Sequence, residues 1–153
     1  MFLKSLLSGA FKSVVALRAF YALLLFSGTL AYILGFGNYI AIEENLGQAL
    51  LHMPRWYFEV WGGFVALYCC AAISLFLYPR LALVFYVAAF AMDFTLSLIW
   101  FQQPAMDRAY SGSANVVEWT LNMIDLTIIA VLVLVPAGMW RARKTAFRDA
   151  PAS

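Results

Sequence analysis

The sequence predicts an all-α integral membrane protein: a four-helix bundle, up-down-up-down, with both termini on the cytoplasmic side. Three observations lead there. First, 65% of the 153 residues are hydrophobic and only 12% are charged, against about 45–50% and about 25% in soluble domains. Second, the mean hydropathy is +0.83, and the apolar residues gather into stretches at 19–39, 56–78, 81–101 and 116–140. Each is long enough to cross a hydrocarbon core of ~30 Å as a helix. Third, basic residues collect at alternate ends of these stretches. Lys4, Lys12 and Arg18 precede the first, Arg80 separates the second from the third, and Arg141, Arg143, Lys144 and Arg148 follow the fourth. The two remaining connections set Arg55 and Arg108 against Glu43, Glu44 and Asp107, so the positive-inside rule places both termini in the cytoplasm. The expected location is a cell inner (plasma) membrane, crossed several times.

Four spans use most of the chain, leaving one transmembrane domain and no room for a separate soluble one. A net charge of +2 lying at the chain ends speaks to orientation, not to nucleic acid.

Residues 1–18 place Leu3, Leu6, Leu7, Ala10 and Val14 at helical spacing with Lys4, Ser8 and Lys12 between them. An interfacial segment lying on the cytoplasmic surface is expected. The following apolar run exceeds a signal-peptide core and lacks a small-x-small cleavage site, so residues 19–39 form the first span. It holds Ser27, Gly28, Thr29, Gly35 and Gly37 and no charge, a composition suited to close helix approach.

The connection at 41–55 carries Glu43, Glu44, His52, Pro54 and Arg55, while Leu50, Leu51 and Met53 suggest that part of it lies on the membrane surface. In the second span, at 56–78, Glu59 stands one turn after Arg55 and can pair with it. Gly63, Ala66, Cys70 and Ser74 follow Glu59 near one face, widened by Gly62. Such a small-residue strip lets another helix approach the carboxylate. Cys69 and Cys70 are adjacent and lack the Cys-x-x-Cys spacing of exchange chemistry, so they read as small apolar filler. His52 is the only histidine, and no zinc site is legible.

Pro79 and Arg80 make a connection short enough to force the second and third spans into a hairpin. In the third span, Tyr86, Asp93, Ser97 and Trp100 fall near one face. The 102–115 connection is polar, with a Tyr110-Ser111-Gly112-Ser113 run that favours flexibility. In the fourth span Glu118, Asn122 and Asp125 repeat at i, i+4 and i+7, all on one face. Pro136 is expected to kink its cytoplasmic half. Residues 141–153 form a basic tail.

These acids carry the functional expectation. At about 1.5 Å rise per residue, Asp93 and Asp125 both lie about 12–14 Å below the outer interface, and Glu59 and Glu118 about 3–5 Å. Ionisable groups at membrane depth are costly and mark functional sites by default. Two carboxylates in a low-dielectric interior do not both stay charged cheaply, so Asp93 and Asp125 are expected to meet and share a proton, or to grip a polar or cationic head group. The competing expectation is that they bond to Asn122, Ser97, Thr95 or tyrosine hydroxyls and only fix helix register.

The run Glu59-Val60-Trp61-Gly62-Gly63, with the short Pro79-Arg80 turn after it, resembles the Glu-x-x-Gly-Gly hairpin of the DoxX-like membrane proteins. Arg18 ahead of Leu25-Phe26-Ser27-Gly28 is similar to that superfamily's opening helix. The resemblance implies a four-helix bundle, and a link to thiosulfate:quinone oxidoreduction or to membrane oxidoreductase complexes. The lysine common near the end of the family's first helix has no counterpart between Tyr32 and Asn38.

The function expected from the sequence is an acidic pocket in the non-cytoplasmic half of the bundle, lined by Glu59, Tyr86, Asp93, Ser97, Glu118, Asn122 and Asp125. It would bind a small amphipathic ligand, quinone or lipid-like, or belong to an accessory subunit of a membrane complex. A subunit of a membrane oxidoreductase and a proton-coupled small carrier are the alternatives. A quinone is the one cofactor such a pocket suits; no metal or nucleotide site is legible and no motif assigns a reaction. The expected partners are the lipid bilayer and either complex subunits or further copies of the chain.

Overall fold

The computed structural model describes residues 2–36, 44–102 and 113–135. All of the elements described are helical: α1 (Phe2–Ala31), a wider π-helical turn (Tyr32–Phe36), α2 (Glu44–Leu51), α3 (Arg55–Leu77), α4 (Pro79–Phe101) and α5 (Ser113–Leu134). Four segments are long and apolar enough to cross a membrane: Leu6–Phe36, Arg55–Leu77, Pro79–Trp100 and Val116–Leu134. Large apolar side chains such as Leu17, Leu24, Ile73, Val84, Leu98 and Val133 stand exposed on their outer faces, as helices facing lipid require. Residues 37–43, residues 103–112 of the polar connection, Pro136 and the basic tail lie outside the described residues.

The first helix differs from expectation. A span beginning at 19 left Arg18 at a boundary, yet α1 runs unbroken from Phe2 to Ala31 and Arg18 sits well inside it, 8% exposed. The physical reason is that a cation bonded to acids from other helices no longer has to sit at a membrane surface. After Ala31 the chain widens into the π turn and bends at Gly35, whose φ of 91° is the left-handed conformation glycine adopts without strain. The connection at 41–55 is also more ordered than a loop. It contains α2, whose Ala49 and Leu50, with the following Met53, are buried against the bundle, while Leu51 is exposed. A Cβ on Gly47 would overlap the Tyr32 hydroxyl, so α2 lies tight against the π turn.

Helices α3 and α4 meet at Tyr78, which caps both. Its N–H donates to the Ser74 carbonyl at 2.6 Å, and its own carbonyl accepts from Leu81 at 2.9 Å. Pro79 follows at the first position of α4, where its missing donor costs nothing. From this shared turn the helices lie side by side. Tyr68 packs on Tyr86 with ring centroids 5.1 Å apart, and Tyr57 on Trp100 at 5.2 Å, pairs at matching distances either side of the turn. The face of α3 that packs is Tyr57, Phe64, Tyr68, Ala71 and Leu75. Its opposite side, carrying Glu59, Ala66 and Cys70, is exposed. The strip of small residues is therefore not the main helix contact; within it a Cβ on Gly62 would meet Phe26 at 3.0 Å and one on Gly63 would meet Met92 at 3.4 Å.

Ala71 and Ala89 are fully buried in α3 and α4, where a larger side chain has no room to enter. Ala71→Leu is expected to destabilise the bundle by about 1–3 kcal/mol through overpacking, read as a lowered midpoint of thermal unfolding in mild detergent; an unchanged midpoint would contradict this packing.

Candidate functional site

The site grows from one cation and two acids. Arg18 on α1 reaches across the bundle interior. Its Nε donates to both oxygens of Asp125, at 3.0 Å and 3.2 Å, and its Nη2 donates to Asp125 Oδ2 at 2.8 Å. The same Nη2 donates to Asp93 Oδ2 at 2.9 Å. Asp93 on α4 and Asp125 on α5 are thus brought together as the helical spacing implies, but through a guanidinium instead of a shared proton. That corrects the expected acid pair. Carboxylates this close are tolerated because a fixed positive charge lies between them.

Tyrosines complete the network. Tyr86, from α4, donates to Asp125 Oδ1 at 2.6 Å, and Tyr68, from α3, donates to Asp125 Oδ2 at 3.0 Å. Asp93 Oδ2 stands 3.3 Å from the same Tyr68 hydroxyl, which has one proton to give and is nearer Asp125. The Arg18 guanidinium also lies over the Tyr68 ring, 4.5 Å from its centroid, a favourable cation–π placement. Asp125 is completely buried and Asp93 retains 19% side-chain exposure. The difference matters chemically. Asp125 is saturated with donors, whereas Asp93 has one strong bond and an open side.

That open side faces a cavity of about 160 Å³ in the half of the bundle away from Tyr78. Its polar lining is Arg18, Thr29, Asp93, Ser97, Glu118 and Asn122; its aromatic lining is Tyr21, Tyr57, Trp61, Phe64 and Trp100. Ser97, one turn along from Asp93, donates to Glu118 Oε1 at 2.6 Å. Glu118 and Asn122 reach the cavity from α5, and Asn122 makes no side-chain hydrogen bond among the described residues. Small side chains leave the space: Ala22 and Thr29 on α1 line it at positions where a larger residue would fill it.

Of the residues expected at the site, Asp93, Ser97, Glu118 and Asn122 line this cavity. Asp125 and Tyr86 lie buried behind it. Glu59 does not join them. It pairs with Arg55 at 3.1 Å as the i,i+4 spacing allows, but both side chains are exposed, at 63% and 93%. The cause is helical phase: Glu59 lies across α3 from the packed face of Tyr57 and Tyr68. Nor does Thr95 serve the acids; its hydroxyl returns to the Ala91 carbonyl at 2.7 Å. No cluster of metal-ligating side chains exists among the described residues.

Sequence reasoning passed over Arg18, Tyr68, Tyr57 and Trp61. A signal was present for each. Arg18 shares a helical face with the apolar Val15, Ala22 and Leu25, from which Lys12 is turned away. Tyr57, Trp61, Phe64 and Tyr68 repeat at i, i+4, i+7 and i+11 on α3.

No protein-family model, curated protein or solved structure matches the chain.

Removing the cation leaves two carboxylates facing each other in a low-dielectric interior. Arg18→Met is expected to cost about 3–5 kcal/mol, measured by unfolding in detergent. Adding Asp125→Asn to Arg18→Met should recover part of that loss; a double variant as damaged as the sum of the two single ones would show that the groups are not coupled.

Proposed function

We propose that this protein is a membrane-embedded binding protein for a small amphipathic ligand, quinone or lipid-like, whose polar head occupies the cavity beside Asp93. One observation carries the reading: a cavity among the helices of an apolar bundle is lined by hydrogen-bonding and charged groups together with aromatic rings. Ligand sites have this composition, a few placed polar groups within an apolar and aromatic lining. A volume near 160 Å³ suits a single ring or a compact head group, since a cavity of about 150 Å³ takes up benzene. The rest of an amphipathic molecule then extends along the apolar helix faces toward lipid. Serving as a subunit of a membrane complex is compatible with this role, because a carried quinone or lipid needs a partner to use it.

The orientation we assign puts both termini in the cytoplasm of a bacterial-type inner membrane and the helices up-down-up-down. Arg18 no longer counts as a flanking charge, yet Lys4, Lys12, Arg80 and the four basic residues of the tail still favour it. The cavity, lying away from Tyr78, then opens in the non-cytoplasmic half. A phosphatase and a fluorescent reporter fused after Ser153 should report activity and fluorescence respectively only as a cytoplasmic end does; an active periplasmic phosphatase there would reverse the assignment.

Ala22 lines the cavity and is 4% exposed, so added bulk at that position must enter the space. Ala22→Leu is expected to lower by about tenfold the amount of small amphipathic molecule retained through purification, quantified by native mass spectrometry, with helix content unchanged. Equal retention by both proteins would move the site elsewhere.

A further inference from the structure

Charge accounting at this cavity narrows the ligand further. One guanidinium contacts two carboxylates, Asp93 and Asp125, and a third, Glu118, stands near it without its charge. Arg18 addresses Asp125 with two nitrogens and three contacts of 2.8–3.2 Å, and Asp125 takes two tyrosine hydroxyls as well. Arg18 and Asp125 therefore form a closed pair. Asp93 receives one bond from Arg18 at 2.9 Å, and Glu118 receives one from the neutral Ser97 hydroxyl at 2.6 Å. The carboxylates that touch the cavity are the under-compensated ones, and among the described residues no cation besides Arg18 lines it.

The aromatic lining suits a positive charge too. Tyr57 meets Trp61 nearly at right angles, 79° at 6.0 Å, and lies tilted by 32° against Trp100 at 5.2 Å, so three mutually packed rings share the cavity lining with Tyr21 and Phe64. Aromatic rings set at angles around a pocket stabilise alkylated ammonium groups through their quadrupoles, and more strongly where water is excluded. An anion finds one guanidinium, already bonded to Asp93 and Asp125, against the carboxylates of Asp93 and Glu118. A neutral quinone head finds hydrogen bonds but leaves the excess negative charge buried and unanswered.

We infer that the cavity recognises a cationic head group, an alkylated ammonium, seated between the Asp93 and Glu118 carboxylates and the Tyr57, Trp61 and Trp100 rings. This inference rests on the binding-site reading above and specifies its ligand class. Asn122, between Glu118 and Asp125 on α5, supplies a neutral amide to a hydroxyl or carbonyl next to the ammonium. The ammonium can come from an amphipathic amine free in the membrane or from the head of a choline lipid whose phosphate stays at the cavity mouth.

The test uses the full chain in a non-ionic detergent, with benzyltrimethylammonium, benzyl alcohol and benzoate compared by isothermal titration calorimetry, and decylubiquinone by quenching of tryptophan fluorescence. Benzyltrimethylammonium should bind saturably and at least about tenfold more tightly than benzyl alcohol or benzoate. Glu118→Gln keeps the acceptor for Ser97 and should weaken the ammonium by about tenfold while leaving benzyl alcohol unchanged; Asp93→Asn should do the same if it remains folded by circular dichroism. Decylubiquinone binding more tightly than benzyltrimethylammonium, with affinity indifferent to Glu118→Gln but lost in Ala22→Leu, overturns the cationic class and leaves the site standing. Failure of all four compounds to bind, in wild type as in Ala22→Leu, overturns the site itself. Under the cationic class, weaker benzyltrimethylammonium binding in phosphatidylcholine nanodiscs than in digalactosyldiacylglycerol ones, which are equally uncharged but carry no ammonium, assigns the lipid head as source, and equal binding assigns a free amine.

Discussion

The Arg18 guanidinium held between Asp93 and Asp125 is the interaction on which the rest of the bundle depends. Three charges buried at membrane depth are each costly alone, and here Arg18 lies within hydrogen-bond distance of both carboxylates and offsets them. They arrive from α1, α4 and α5, and Tyr68 adds α3 through its hydroxyl and its ring. Lipid tails are as apolar as the helix surfaces, so apolar contact alone does not tell one helix pairing from another inside a membrane. A charge network does, since any slip of one helix along its axis leaves an ion without its partner.

The network also divides the interior into two unlike halves. On the side of Tyr78, Leu75, Ala82, Ala89, Ile128 and Leu132 are buried together and little space remains between the helices. On the other side, Ala22, Thr29, Ser97 and Asn122 are too small to meet across the gap, and the rings of Tyr57, Trp61 and Trp100 stand against each other instead of filling it. Helix α2 lies beside this half with Leu50 in the cavity wall. Asp93 is the hinge between the halves, its carboxylate bonded inward to Arg18 and open outward to the cavity.

How far the sequence leads is set by which signals are local. Apolar length is local, and the second and third spans match α3 and α4 to within a couple of residues at each end. The i, i+4, i+7 repeat of Glu118, Asn122 and Asp125 is local too, and those residues do share a face. Arg18 is different. Its neighbours in sequence are apolar on both sides, and only acids 75 and 107 positions away explain why a cation can stay there; read alone, it marks a boundary. Helix α3 offered two competing faces, one of Glu59, Gly63, Ala66, Cys70 and Ser74, the other of Tyr57, Trp61, Phe64, Tyr68 and Leu75. The small-residue face promised close approach. The aromatic face won, because large rings gather more dispersion contact per residue and because the Tyr68 hydroxyl finds charged acceptors there. Partner chemistry on other helices decides such a contest, and no window of the sequence contains it.

The three carboxylates of the interior therefore have different capacities for change. Asp125 is fully buried and accepts from Arg18, Tyr68 and Tyr86 at once; replacing any of those bonds means moving two helices, so Asp125 holds the structure. Among the described residues Glu118 accepts only a hydroxyl from the neighbouring helix, and Ser97 can turn to follow a new partner of Glu118 without backbone motion. Asp93 lies between these extremes, since Arg18 retains its grip on Asp125 when Asp93 turns toward something else. A ligand of the proposed kind would compete for one of the four Arg18 contacts with carboxylates and would leave the three to Asp125 in place. The bundle can exchange what lies beside Asp93 and Glu118 while its register stays with Arg18 and Asp125, which is what a binding site inside a membrane must do.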